Sequence, residues 1–206
     1  MKTVSEYRTA VLTVLGDPGG RRYSEEQIDL ALKEALGKLG SFRPNRETVK
    51  VKIAQMRGKE AVIKWVPDPS SDVLTVRDES GHWYCAADYR TGGRMYLQLY
   101  GDVFAGEGDT LLLEISHPHT IQGLGGETST TVPESLSLTV AAGAAGYAMR
   151  IRARSVTEVF GKRPEDTERL IEQSEILIGE YLAELGEADF RDAMHLSPWP
   201  LRGFPF

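Results

Sequence analysis

Thr131-Val132-Pro133-Glu134-Ser135-Leu136, leading into Val140-Ala141-Ala142-Gly143-Ala144-Ala145-Gly146-Tyr147, is where the chain passes from alternating strands to helix. Thr131 followed three residues later by Glu134 has the form of a capping box, with proline in the first turn. Leu136, Val140, Ala144, Tyr147 and Ile151 then fall on one helical stripe, and the residues between them are unusually small. A glycine inside a helix costs ~1 kcal/mol relative to alanine, so Gly143 and Gly146 point to a close backbone contact that offsets the cost. This third helix is expected over 133–160. A fourth is expected over 164–185, with Leu170, Ile171, Leu177, Ile178, Tyr181, Leu182 and Leu185 near heptad spacing and Gly186 as its stop.

Upstream of this point the period is two. Val49, Val51 and Ile53 alternate with lysines, and Arg57-Gly58-Lys59-Glu60 turns the chain into Ala61–Val66. Val73–Arg77 and His82–Ala86 flank the turn Asp78-Glu79-Ser80-Gly81, and Met95–Leu99 and Leu111–Ile115 alternate in turn. Six short strands on turn-length links predict an antiparallel sheet or small sandwich, not a parallel α/β core. The segment 117–132 has glycines, a Thr/Ser run and no period, which marks a functional or mobile loop. Two helices precede the strands. Residues 3–15 carry Tyr7, Val11 and Leu15 at helical spacing, and Ser24 with Gln27 opens a second helix as a capping box, with Gly40 as its stop. The expected class is α+β: a helical assembly domain (1–45 and 131–186), an inserted β domain (46–130), and an extended C-terminal docking arm (187–206).

Composition narrows the function classes. A chain of 206 residues buries roughly 70% of its unfolded surface. The net charge of −6 argues against a protein that wraps nucleic acid, which carries a basic excess. A single cysteine, Cys85 in His82-Trp83-Tyr84-Cys85, permits no internal disulfide and reads as a small buried apolar group. The first residues lack the apolar run of a signal peptide, and Ser135–Met149 is too short to span a bilayer, so a soluble chain made in a cytoplasm is expected, with no membrane partner.

The sequence offers no catalytic motif. His117-Pro118-His119 lacks accompanying ligands at metal spacing, so no metal is expected. No glycine run is followed by the Lys-Ser/Thr of a phosphate loop or sits in a dinucleotide fingerprint, so no cofactor is expected. Arg150, Arg152 and Arg154 splay around their helix and read as solvated or ion-paired side chains, with phosphate binding as the alternative. An enzyme with catalytic residues scattered along the chain and a nucleic-acid-binding module stay as alternatives. The end of the chain stands out: Leu196, Trp199, Leu201, Phe204 and Phe206 lie among three prolines with no polar run. Burying each side chain contributes roughly 1.5–3 kcal/mol, about what fixing the backbone costs. Such a tail either folds back onto its own domain or, as preferred here, docks onto another subunit, where a ring multiplies a weak contact.

Two segments carry a family likeness. Tyr23-Ser24-Glu25-Glu26-Gln27-Ile28-Asp29-Leu30-Ala31-Leu32-Lys33-Glu34-Ala35-Leu36, and Val132-Pro133-Glu134-Ser135-Leu136 with its small-residue helix, resemble the head-to-tail connector proteins of tailed bacteriophages, the adaptor or gatekeeper subunits beneath the portal. The resemblance implies a virion structural protein that forms a ring of twelve copies with itself. It implies a portal protein above, a tail or nozzle protein below, and DNA passing without sequence-specific binding. On this reading Leu196, Trp199, Leu201, Phe204 and Phe206 dock on the portal, Ala142, Gly143, Gly146 and Tyr147 pack the ring, and the strands with 117–132 face the tail. A terminator or baseplate subunit is the alternative within the virion.

Overall fold

The computed structural model describes residues 1–67, 71–100, 102–157 and 164–196, with backbone alone at 156–157, 164–166 and 187–196. Two units divide the chain: Met1–Arg43 together with the chain from His119 onward, and Pro44–Pro118. The first is helical and the second is a β-barrel.

Reciprocal caps start the first two helices. In α1 (Val4–Val14) Thr3 and Glu6 cap each other, and in α2 (Glu25–Phe42) Ser24 Oγ accepts from the Gln27 backbone N–H while Gln27 Oε1 accepts from that of Ser24. Gly40 does not stop α2, which runs on to Phe42. α3 (Ser137–Thr157) and α4 (Pro164–Leu196) follow the barrel. Thr131 is not the cap of α3. A 3₁₀ turn over Glu134–Leu136 leads in without a side-chain cap, and the Thr131 hydroxyl accepts instead from the Thr120 backbone N–H at 2.8 Å. Gly186 is no stop either: α4 continues through it, so the segment 187–196, expected as an extended arm, is helix. Glycine ends a helix by entering the left-handed region; Gly186 has no positive φ, and good helix formers lie on both sides of it.

The segment 119–132, expected beside the strands, belongs to the helical unit. Ile121 and Leu124 are buried in its core, and the Val4 N–H donates to the Gln122 carbonyl at 2.9 Å. Thr130 Oγ1 accepts from the Gln122 N–H at 2.8 Å and donates to the Lys2 carbonyl. This loop is a fitted brace on the start of α1.

In the second unit, six strands form an antiparallel barrel, closed in the order β1-β2-β5-β4-β3-β6. They are β1 (Asn45–Arg57), β2 (Glu60–Ile63), β3 (Asp72–Asp78), β4 (Trp83–Thr91), β5 (Arg94–Tyr100) and β6 (Thr110–His117). The expected open sheet or sandwich is thereby corrected. Closure rests on the length of β1, whose 13 residues pair with β6 from Asn45↔His117 to Lys52↔Thr110 and then with β2 from Ile53↔Ile63 to Arg57↔Glu60. One extra residue, Ala54, interrupts the second ladder as a bulge, which bends a strand and lets it serve two neighbours. Every other residue points inward: Val51, Ile53, Ala61, Ile63, Val76, Met95, Leu97, Leu99, Leu111, Leu113 and Ile115 make the barrel core.

Candidate interaction surface

The outward residues of β4 and β5 form a face whose one charged side chain is Arg94, at its end opposite Thr91. Strand alternation puts Trp83, Cys85, Ala87 and Tyr89 outside on β4, and the register sets Tyr100 opposite Cys85, Gln98 opposite Ala87, and Tyr96 opposite Tyr89. Trp83 is 58% exposed, Tyr100 53% and Tyr89 48%. The Tyr89 and Tyr96 rings stack with centroids 4.8 Å apart, and the Tyr89 hydroxyl donates to Glu60 Oε2 at 2.6 Å. That bond to a carboxylate holds the Tyr89 phenol above its ordinary pKa. The Arg77 guanidinium lies 5.4 Å from the Trp83 ring at the border of the face. On β1, β3 and β6 the outside is ionic: Arg46 pairs with Glu114 at 3.1 Å, Thr75 donates to the same carboxylate, and Lys50 faces Glu79.

Outward positions of a solvated barrel are normally polar. Exposed Trp and Tyr in a patch with charge only at its edge have the composition of protein-binding surfaces, where rigid aromatic side chains anchor a partner. Cys85, expected to be buried, sits exposed on this face. The alternation of His82–Ala86 was the signal for the face, since it puts Trp83 and Cys85 on one side.

Elsewhere the structure finds ordinary work for the other candidates. A Cβ on Gly143 would lie 2.5 Å from the Tyr181 ring, and one on Gly146 2.9 Å from Ile178 Cγ1. The close approach that these glycines permit is thus between α3 and α4 of one chain. Tyr147 is buried in the same core with Arg150 over its ring, and Ala142 is half-buried. Tyr181 crosses this contact and donates to the Ala35 carbonyl at 2.7 Å; burial pushes its phenol pKa up. Arg150 pairs with Glu34, and Arg152 lies over the Tyr23 ring and donates to the Arg22 carbonyl. Of the expected docking residues, Leu196 ends α4 with its side chain outside the described residues, and Trp199, Leu201, Phe204 and Phe206 lie outside them altogether.

The two histidines of the His-Pro-His run serve different units. His119 Nε2 donates to the Arg43 carbonyl at 2.7 Å, leaving Nδ1 to accept from Thr131 Oγ1 at 3.3 Å. It ties together the two chain segments at which the helical unit is interrupted. His117 stands in the barrel between Ser71 Oγ, 2.9 Å from Nδ1, and Glu47 Oε2, 3.1 Å from Nε2. Serine, imidazole and carboxylate in series is the order of a hydrolytic triad. Here the hydroxyl is on the closed side: Ser71 is fully buried while the Glu47 side chain is 63% exposed. A substrate carbonyl cannot reach such an oxygen. With Arg90 donating to the Ser71 carbonyl and paired with Asp88 at 3.2 Å, the group forms a polar cluster in the barrel. Among the described residues no three His, Cys, Asp or Glu side chains gather as metal ligands, and no helix is long and apolar enough to cross a membrane.

No protein-family model matches the chain, and no curated protein is significantly similar to it.

Proposed function

We propose that the chain is a virion structural subunit, a head-to-tail adaptor that binds the portal ring, extends the DNA channel and carries the tail. The observation that carries this reading is the aromatic face of the barrel inserted in a helical unit: Trp83, Tyr89, Tyr96 and Tyr100 offer anchors for a protein partner. A second feature agrees with it. α4 has 33 residues against 21 in α3, so about 18 Å of it outruns its partner helix and leads towards the apolar end of the chain. On this reading the aromatic face meets the tail or nozzle protein, the C-terminal residues dock on the portal, and the chain closes on itself as a ring, with twelve copies expected.

The test mixes the purified chain with the portal protein of the same genome and images the product by electron microscopy. The expected result is a ring of this protein stacked on the portal, lost when 196–206 is deleted. A ring without portal affinity transfers the reading to a terminator or baseplate subunit, and a chain that forms no ring with either overturns it.

A further inference from the structure

β1 changes partner part-way along its length, and the change opens a groove on the barrel. It pairs with β6 through Lys52 and with β2 from Ile53 onward, bending at the extra residue Ala54. β2 stops at Ile63, and Lys64 and Trp65 continue beside β1 outside the ladder. The groove between them measures about 390 Å³. Ala54 and Trp65 line it together with Lys50, Lys52 and Lys64, and the inward-pointing Val51 and Ile63 lie behind them.

This cluster reverses the sign of a chain whose net charge is −6. Lys50 lies 3.4 Å from Glu79 with both side chains well exposed, a pair worth little in water and readily exchanged for a stronger anion. Among the described residues, Lys52 and Lys64 have no carboxylate within ion-pair distance. Lys50 and Lys52 share one face of an extended strand at a separation of roughly 7 Å, a repeat suited to successive phosphates of an extended chain. Lysines neutralise phosphates as point charges on flexible stems, without demanding one geometry. Beside them a half-buried indole gives a flat surface on which any base can stack.

We propose that this groove binds single-stranded nucleic acid, with phosphates on Lys50, Lys52 and Lys64 and one base against Trp65. Charge complementarity selects the polyanion, and the indole selects unpaired bases over both duplex DNA and acidic peptide. The inference is independent of the adaptor reading, in which DNA passes without being held.

Full-length protein is titrated into a labelled oligothymidine of about ten nucleotides, and fluorescence anisotropy is followed over a range of salt. Three phosphate contacts predict that log K falls with log salt at a slope of about −2. The double variant Lys52→Gln/Lys64→Gln should reduce that slope to below about −1 in magnitude. Trp65→Leu keeps an apolar group against the barrel and should weaken binding about tenfold. Lys33→Gln/Lys38→Gln on α2 should change nothing, and thermal melts of each variant report its folding. Should Trp65→Leu fail to fold, the lysine variants decide alone. No binding at low salt, or an unchanged slope in the groove variant, overturns the proposal. It is equally overturned if a labelled oligoglutamate or a DNA duplex binds as tightly and loses affinity in the same variants.

Discussion

Gly143 and Gly179 are both helical glycines, and their surroundings make them behave oppositely. Alanine at Gly179 meets nothing within 4 Å, so it should raise stability by up to ~1 kcal/mol through helix propensity. Alanine at Gly143 drives a methyl into the Tyr181 ring and displaces the phenol from the Ala35 carbonyl. Overpacking of this kind costs about 1–3 kcal/mol, so net destabilisation is expected; urea unfolding of the two variants checks the pair. Asp78 offers a pH-dependent counterpart in the barrel. Its carboxylate accepts from the Ser80 hydroxyl, the His82 N–H and the Tyr84 hydroxyl, which hold its pKa at about 2 against the ordinary 3.8. A depressed carboxylate contributes stability that is fully present above its ordinary value and lost as pH falls through about 2. A carboxyl carbon NMR titration should find that low midpoint, and Asp78→Asn should remove the acid-side loss. At this scale the sequence announced that Gly143 and Gly146 need a close contact. It could not say with what, because Tyr181 and Ile178 lie more than thirty residues away along the chain.

Elements were legible where their signals are local. The Ser24–Gln27 capping box formed as read, and Ser24→Ala should cost about 1 kcal/mol in thermal unfolding of the whole chain. The Thr131–Glu134 signal had the same form and failed, because the 119–132 segment took the Thr131 hydroxyl for its own turn. Gly186 failed as a stop for a related reason: a helix end depends on backbone conformation, and glycine permits the left-handed turn without compelling it. The bulge at Ala54 carried no sequence signal. It is a property of the pairing between β1 and β2. Deleting Ala54 should leave the β1–β2 pairs in register on both sides of it and straighten the bend by which β1 serves two neighbours. The expected outcome is a less cooperative barrel transition, followed by near-ultraviolet circular dichroism, whose signal reports the packed aromatic side chains.

For the whole molecule, the barrel leaves and rejoins the helical unit at neighbouring points. Asn45 pairs with His117 on the barrel side, and His119 bonds the Arg43 carbonyl on the helical side. A fragment spanning 44–118 should therefore fold alone with its ends adjacent, though marginally, as small domains do. The chain with that segment replaced by a short glycine linker should retain its helices. Dispersed amide NMR spectra for both fragments are expected, and collapsed spectra for both would show that the units stabilise each other. Read alone, the sequence determined that there are helices at both ends and six strands between them, because hydrophobic period and end caps are encoded within a few residues. The tertiary structure alone decided that the strands close into a barrel and that α3 meets α4. It also decided that the outer surface of the barrel divides into an ionic side and an aromatic side. Those outcomes depend on which distant segments pair, and a one-residue change of register reverses every face.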